Sequence, residues 1–120
     1  MQEIIKKRTK QIGIEVIKLV DELPNKPSSW VIAKQIIKSG TSIGANYRAA
    51  CRAKSTADFI NKLKIVEEES DETIYWLEVM EDSNLVEVDR VTMLKEETNQ
   101  ILSIVVSSIK TLRQKENRKS

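Results

Sequence analysis

The chain has 120 residues, 40% of them hydrophobic and 32% charged, enough for one domain whose core needs no disulfide or metal staple. It holds only 3 Gly and 2 Pro, too few turn formers for an all-β fold. It contains no His, which removes His-based acid–base catalysis, Ser-His-Asp and Cys-His nucleophiles, and most zinc or di-iron sites.

The first helix is predicted from about Ile4 to Leu23, because Ile5, Ile12, Val16, Leu19 and Leu23 recur at helical spacing among charged residues. Its opening segment, Met1 to Arg8, has no apolar run after the basic residues, so no secretory signal is expected. Pro24-Asn25-Lys26-Pro27 ends it. The second helix is predicted from Ser28 to about Arg52, with Ser28 or Ser29 as its cap and Ile32, Ile36, Ile43 and Ala50 as its apolar row. Ser55-Thr56-Ala57-Asp58 resembles a capping box and opens the third helix, residues 56–82. Its stripe is Phe59, Leu63, Val66, Ser70, Thr73, Leu77 and Met80. Ser83-Asn84 makes the next turn. The fourth helix is predicted over residues 88–113, carrying Val91, Leu94, Ile101, Val105 and Leu112, with a polar tail, 114–120, expected to fray. Short loops favour an all-α, antiparallel, up-down-up-down four-helix bundle in a single domain, residues 1–120. No stretch approaches the roughly 18 apolar residues of a membrane span.

Within helix two, Ser39-Gly40-Thr41-Ser42-Ile43-Gly44-Ala45 is a patch of small residues. Glycine costs about 1 kcal/mol in a helix interior relative to alanine. Close helix–helix approach is the favoured compensation, and a ligand site on exposed backbone is the alternative. Asn46 shares a face with Ile36, Ile43 and Ala50. It is expected to be a buried structural polar residue bonded to a neighbouring helix, where it fixes register. The run Glu67, Glu68, Glu69, Asp71 and Glu72 reads as a solvated or ion-paired face. A carboxylate metal site is its weaker alternative, and no metal or cofactor is expected.

Helices three and four carry more apolar residues than one core stripe needs. Trp76 and Val79, with Ile104 and Val106, are the expected oligomer interface. Charge is segregated. Residues 1–13, 42–68 and 104–120, which an up-down-up-down order gathers at one end, carry 14 basic and 5 acidic side chains, net +9; the other end is net −7. Arg48, Arg52, Lys54, Lys62 and Arg113 are the candidate nucleic-acid contacts on that basic end. The lone Cys51 cannot form an intramolecular disulfide, so a reducing, cytoplasmic setting is expected. With no base or second cysteine at hand, it reads as a small buried side chain.

The stretch Ser39-Gly40-Thr41-Ser42-Ile43-Gly44-Ala45-Asn46-Tyr47-Arg48-Ala49-Ala50-Cys51-Arg52-Ala53-Lys54-Ser55 resembles the signature of the bacterial four helix bundle protein family, also known as the ribosomal-RNA intervening-sequence proteins. The likeness continues through Asp58-Phe59-Ile60-Asn61-Lys62-Leu63, Tyr75-Trp76-Leu77-Glu78 and Ile101 to Thr111. The resemblance implies a bundle that assembles into a ring, commonly a homopentamer, with no known enzyme activity. Many members are encoded inside intervening sequences of large-subunit ribosomal RNA genes. Relatives serve diversity-generating retroelements, where a basic pentamer binds RNA and a reverse transcriptase. Other relatives carry Asn-x-x-Glu-Gly after the Ser-Ile segment; here Asn46 matches, Ala49 and Ala50 replace Glu-Gly, and Arg48 and Arg52 are added.

Three readings of function follow. The first is a non-enzymatic oligomer that binds RNA or a nucleoprotein partner. The second is a protein-interaction scaffold without nucleic acid. The third and weakest is a metal-dependent enzyme using the acidic run.

Overall fold

The computed structural model describes residues 1–119, as four helices: α1 Gln2–Asp21, α2 Pro27–Ala50, α3 Thr56–Asp82 and α4 Val88–Lys119. There is no strand among the described residues. The molecule measures 54 × 22 × 21 Å. At 32 residues, α4 is about 48 Å long by the helical rise and runs nearly the whole length.

The helix ends follow local chemistry. Pro27 is the first residue of α2, where its missing N–H costs nothing, and Lys26 is the cap. The expected serine cap is therefore corrected: Ser28 and Ser29 lie inside the first turn, and Ser29 is buried. Ser55 caps α3 as expected, its hydroxyl accepting the Asp58 N–H at 3.1 Å. The Asp58 carboxylate reaches back to the Lys54 N–H at 3.4 Å. After α3, Asn84 adopts φ 61°, the left-handed turn that asparagine tolerates. The Leu85 N–H then donates to the Met80 carbonyl and that of Asn84 to Glu81, each at 3.0 Å. The expected frayed tail is also corrected, since α4 continues to Lys119; Ser120 lies outside the described residues.

Consecutive helices pack on one another, and α1 meets α4 with the least contact. Most of the core comes from the predicted stripes: Ile5, Ile12, Val16 and Leu19; Ile32, Ile36, Ile43 and Ala50; Leu63, Val66, Leu77 and Met80; Val91, Ile101 and Val105; Tyr47, Ile60 and Ile109, outside those stripes, complete it. Each of the Val, Leu, Ile and Met side chains contributes about 1.5–3 kcal/mol by leaving water, and Ala50 less. Leu23, Phe59, Leu94 and Leu112 pack at its margin. Ser39, Ser70, Thr73 and Thr98 add a buried polar set. Thr73 Oγ1 lies 3.0 Å from Ser39 Oγ and 2.8 Å from the Glu69 carbonyl oxygen. This is the buried polar contact between helices that had been expected at Asn46. Asn46 is only half-buried, and its Nδ2 donates to the Ser42 carbonyl of its own helix at 2.9 Å. The helix can satisfy an asparagine amide one turn back, so no neighbour is required.

The α1–α2 contact runs through glycine. A Cβ on Gly40 would sit 2.8 Å from Val16 Cγ2, and one on Gly44 would sit 3.2 Å from the Thr9 and Lys10 backbone. Gly13 faces the Thr41 Cα, where a Cβ would fit at 3.4 Å. Close approach, the favoured reading of the small-residue patch, is what these distances describe. Residue numbers rise along α1 as they fall along α2 in these pairs: Thr9 with Gly44, Gly13 with Thr41, Val16 with Gly40.

The α1–α4 seam is closed by charge. Arg8 forks onto Glu97, with two bonds of 2.8 Å, and also donates to Gln100. At the far end of α1, Arg90 forks onto Glu22. Between these clamps lies a groove of about 620 Å³ that includes Glu15, Met93 and Glu96. The hydrogen bonds from Arg8 hold the Glu97 carboxyl below its ordinary range.

Two outcomes follow for stability. Gly40→Ala gains about 1 kcal/mol of helix propensity but drives a Cβ into a stiff, buried Val16, and overpacking of that kind costs about 1–3 kcal/mol. Urea unfolding should show Gly40→Ala at a lower midpoint, and Gly13→Ala unchanged or higher. The second concerns pH. A carboxyl whose folded pKa is depressed stabilises above its unfolded pKa and loses that contribution as pH falls through the folded one. The part-exposed Arg8–Glu97 pair is worth about 0.5–1 kcal/mol after solvent screening. Acidification below about pH 4 should therefore lower the melting temperature less in Glu97→Gln than in the parent protein.

Candidate nucleic-acid interface

The basic residues singled out in the sequence fall into two groups. Arg48 and Arg52, both exposed, leave the last turn of α2 and its exit. They line a groove of about 540 Å³ between α1 and α2, together with Lys6, Lys7 and Lys10. The floor of this groove includes Gly13, Thr41, Gly44 and Ala45, and Ile14 and Ile17 stand along it, 36% and 43% exposed. Lys54 sits beside it on the α2–α3 turn, in a shallow depression that also includes Gln2, Cys51 and Phe59. That depression brings the start of α1 to the α2–α3 turn, two of the three segments that the +9 end combines. Lys62 is half-buried on α3 and Arg113 exposed on α4; neither lines the groove.

Lys6, Lys7 and Lys10 belong to this site and had been read only as part of a basic end. Their spacing places them on the exposed side of α1, but nothing in α1 alone says that α2 brings two arginines opposite them. The electrostatics are one-sided. Among the described residues, Glu3 is the one acidic side chain lining the groove, and it is paired with Lys6 at 3.1 Å. Among the described residues, Lys7, Lys10, Arg48 and Arg52 have no carboxylate partner, whereas Arg8 is committed to Glu97.

Beside these arginines, Tyr47 is buried, and burial together with Cys51 pushes its phenol up to about 12, so it stays a neutral packing residue. Cys51 is a half-buried free thiol. In the acidic run, burial and Glu72 raise the Glu69 carboxyl, while Ser42 and Lys38 oppose them. Among the described residues, no three Cys, Asp or Glu side chains gather in a way that could hold a metal ion. No described helix is long and apolar enough to cross a membrane.

The apolar candidates are not one exposed patch. Trp76, Val79 and Ile104 are half-buried and pack against the core, while Val106 is 44% exposed. Tyr75 meets Trp76 edge-on at 5.0 Å and is itself 55% exposed. The Trp76 Nε1 is buried and meets no acceptor among the described residues.

The family described as 23S rRNA-intervening sequence protein matches residues 1–107, a span that takes in the whole groove and leaves out Arg113 and the basic end of α4. A solved structure, described as a protein with unknown function from the S23 ribosomal protein family of Bacteroides thetaiotaomicron VPI-5482, is similar in sequence and shape. It shares 36% identity over 91% of this chain and 97% of that chain, with a TM-score of 0.84. A comparison with curated proteins finds no match. On a match that covers most of its length, three of its helices and most of the fourth, the chain belongs to the 23S rRNA-intervening sequence protein family.

Proposed function

We propose that this protein is a non-enzymatic, cytoplasmic homo-oligomer, an antiparallel up-down-up-down bundle assembled into a ring of five, that binds RNA or a nucleoprotein partner through its basic end. The observation that carries the reading is the set of unpaired cations, Lys7, Lys10, Arg48 and Arg52, gathered in one groove at the end where net charge is +9. Unpaired arginine and lysine side chains offer phosphates charge-assisted hydrogen bonds without first breaking an ion pair. Lys54, Lys62 and Arg113 extend the positive field around the groove.

The opposed residue numbering of the α1–α2 contacts, and of Arg8 with Glu97 and Arg90 with Glu22, supports the antiparallel order. Assembly rests on the family resemblance and on the apolar flank of Trp76, Val79, Ile104 and Val106. A ring would repeat the basic groove around an axis, so that weak contacts add through effective concentration. The competing reading, a protein scaffold without nucleic acid, is favoured by the same apolar flank. It predicts no RNA binding.

Filter binding with RNA at two salt concentrations tests the main reading. Affinity should be largely sequence-independent, and log affinity should fall with log salt by about 0.7 per phosphate neutralised on a single strand. Arg48→Glu with Arg52→Glu should weaken binding by roughly tenfold or more while the oligomer stays intact. No binding at low salt by an intact oligomer leaves the scaffold reading in its place. For assembly, light scattering at micromolar concentration should give a multiple of the 13.7 kDa chain mass. A monomer mass contradicts the ring.

A further inference from the structure

The α1–α2 groove and the α1–α2 packing have one cause. Gly40 and Gly44 let the two helices touch almost backbone to backbone. The same shortage of side chains leaves Thr41, Gly44 and Ala45 with nothing that fills the outer side of the seam, where the groove of about 540 Å³ lies. Lys6, Lys7 and Lys10 stand on α1 and Arg48 and Arg52 on α2, so cations flank the groove from both helices. Lys7 and Lys10 are three residues apart and Arg48 and Arg52 four, about 4.5–6 Å along each helix.

Resting on the nucleic-acid reading, we infer that the α1–α2 groove is a track for one strand of RNA, gripped by its phosphates and read without regard to sequence. With a volume of about 540 Å³ the groove has room for one backbone inside it, whereas a duplex would lie across its rim. No aromatic residue lines it, so it lacks the stacking platforms of base-reading single-strand sites. The exposed methyls of Ile14 and Ile17 offer an apolar surface for ribose and base edges instead. An acidic helix fits less well, because helix-in-groove docking needs deep apolar pockets for its anchors, and these two isoleucines are superficial. Lys7 and Lys10 thereby become phosphate contacts, and Ala45 becomes the residue that keeps the track open.

The test uses labelled oligouridine, the same strand annealed to its complement, and the full-length oligomer. Ala45→Leu changes no charge, suits an exposed helical position and fills the groove. It should weaken single-strand binding about tenfold with the salt slope little changed. Lys7→Glu with Lys10→Glu should weaken it further and lower the salt slope by about 0.7 for each lysine removed. Lys26→Glu with Lys34→Glu, an equal charge change outside the groove, should leave affinity within about twofold. Circular dichroism and light scattering confirm that each variant keeps the parent fold and mass. If the parent binds, yet Ala45→Leu is silent and the Lys7/Lys10 pair behaves like the Lys26/Lys34 pair, the groove is overturned and the wider reading stands. Equal or tighter binding of the duplex overturns the single-strand assignment. If the parent binds no RNA at low salt, the nucleic-acid reading itself fails and takes this inference with it.

Discussion

The glycine-mediated contact between α1 and α2 is the constraint on which the rest depends. Gly40 sits where a Cβ would collide with Val16, and Gly44 presses on the Thr9–Lys10 backbone. With α1 this close, its stripe of Ile5, Ile12, Val16 and Leu19 reaches the core formed by α2 and α3. Each glycine gives up about 1 kcal/mol of helix propensity. That loss is offset by burial of side chains worth about 1.5–3 kcal/mol apiece. The close approach also shapes the surface, leaving the groove between α1 and α2 lined by Gly13, Thr41, Gly44 and Ala45.

The opposite seam follows a different principle. The contact between α1 and α4 is thin, and its polar rim is held by Arg8 with Glu97 and Gln100 and by Arg90 with Glu22. These pairs satisfy charges that would otherwise face solvent or the groove. They divide the cations of the molecule into two classes. Arg8 and Arg90 are held by carboxylates, whose hydrogen bonds raise their pKa values further above an already high value. Among the described residues, Lys7, Lys10, Arg48 and Arg52 are held by no carboxylate, and they share one groove. Net charge alone, +2 over the chain, conceals this division.

The sequence made the fold legible because helical periodicity and turn chemistry agree along the chain. The break at Pro24, the Ser55 cap and the Ser83-Asn84 turn fell where local chemistry placed them, while Pro27 opens α2 instead of closing the turn. Most stripe residues entered the core, while Leu23, Phe59, Leu94 and Leu112 stayed at its margin and Tyr47, Ile60 and Ile109 joined it from neighbouring positions. The errors have separate physical causes. Asn46 was placed by its face alone, but an amide in a helix can bond the carbonyl one turn back, as it does with Ser42. The polar residues after Leu112 suggested fraying, yet residues 114–119 contain no Gly or Pro and extend α4 on helical propensity. The groove was only half legible. Arg48 and Arg52 were visible as additions to a family pattern. Lys7 and Lys10 gained meaning only once α1 and α2 were brought side by side, because which helix faces which is not written in either.

Lysine footprinting tests the central claim most directly. The protein is labelled with an amine-reactive reagent, with and without single-stranded RNA at low salt, and each lysine is read by mass spectrometry. The account predicts that Lys7 and Lys10 become protected while Lys26 and Lys34, at the far end of the bundle, label as before. Unchanged labelling of Lys7 and Lys10 under conditions where RNA is bound would contradict it.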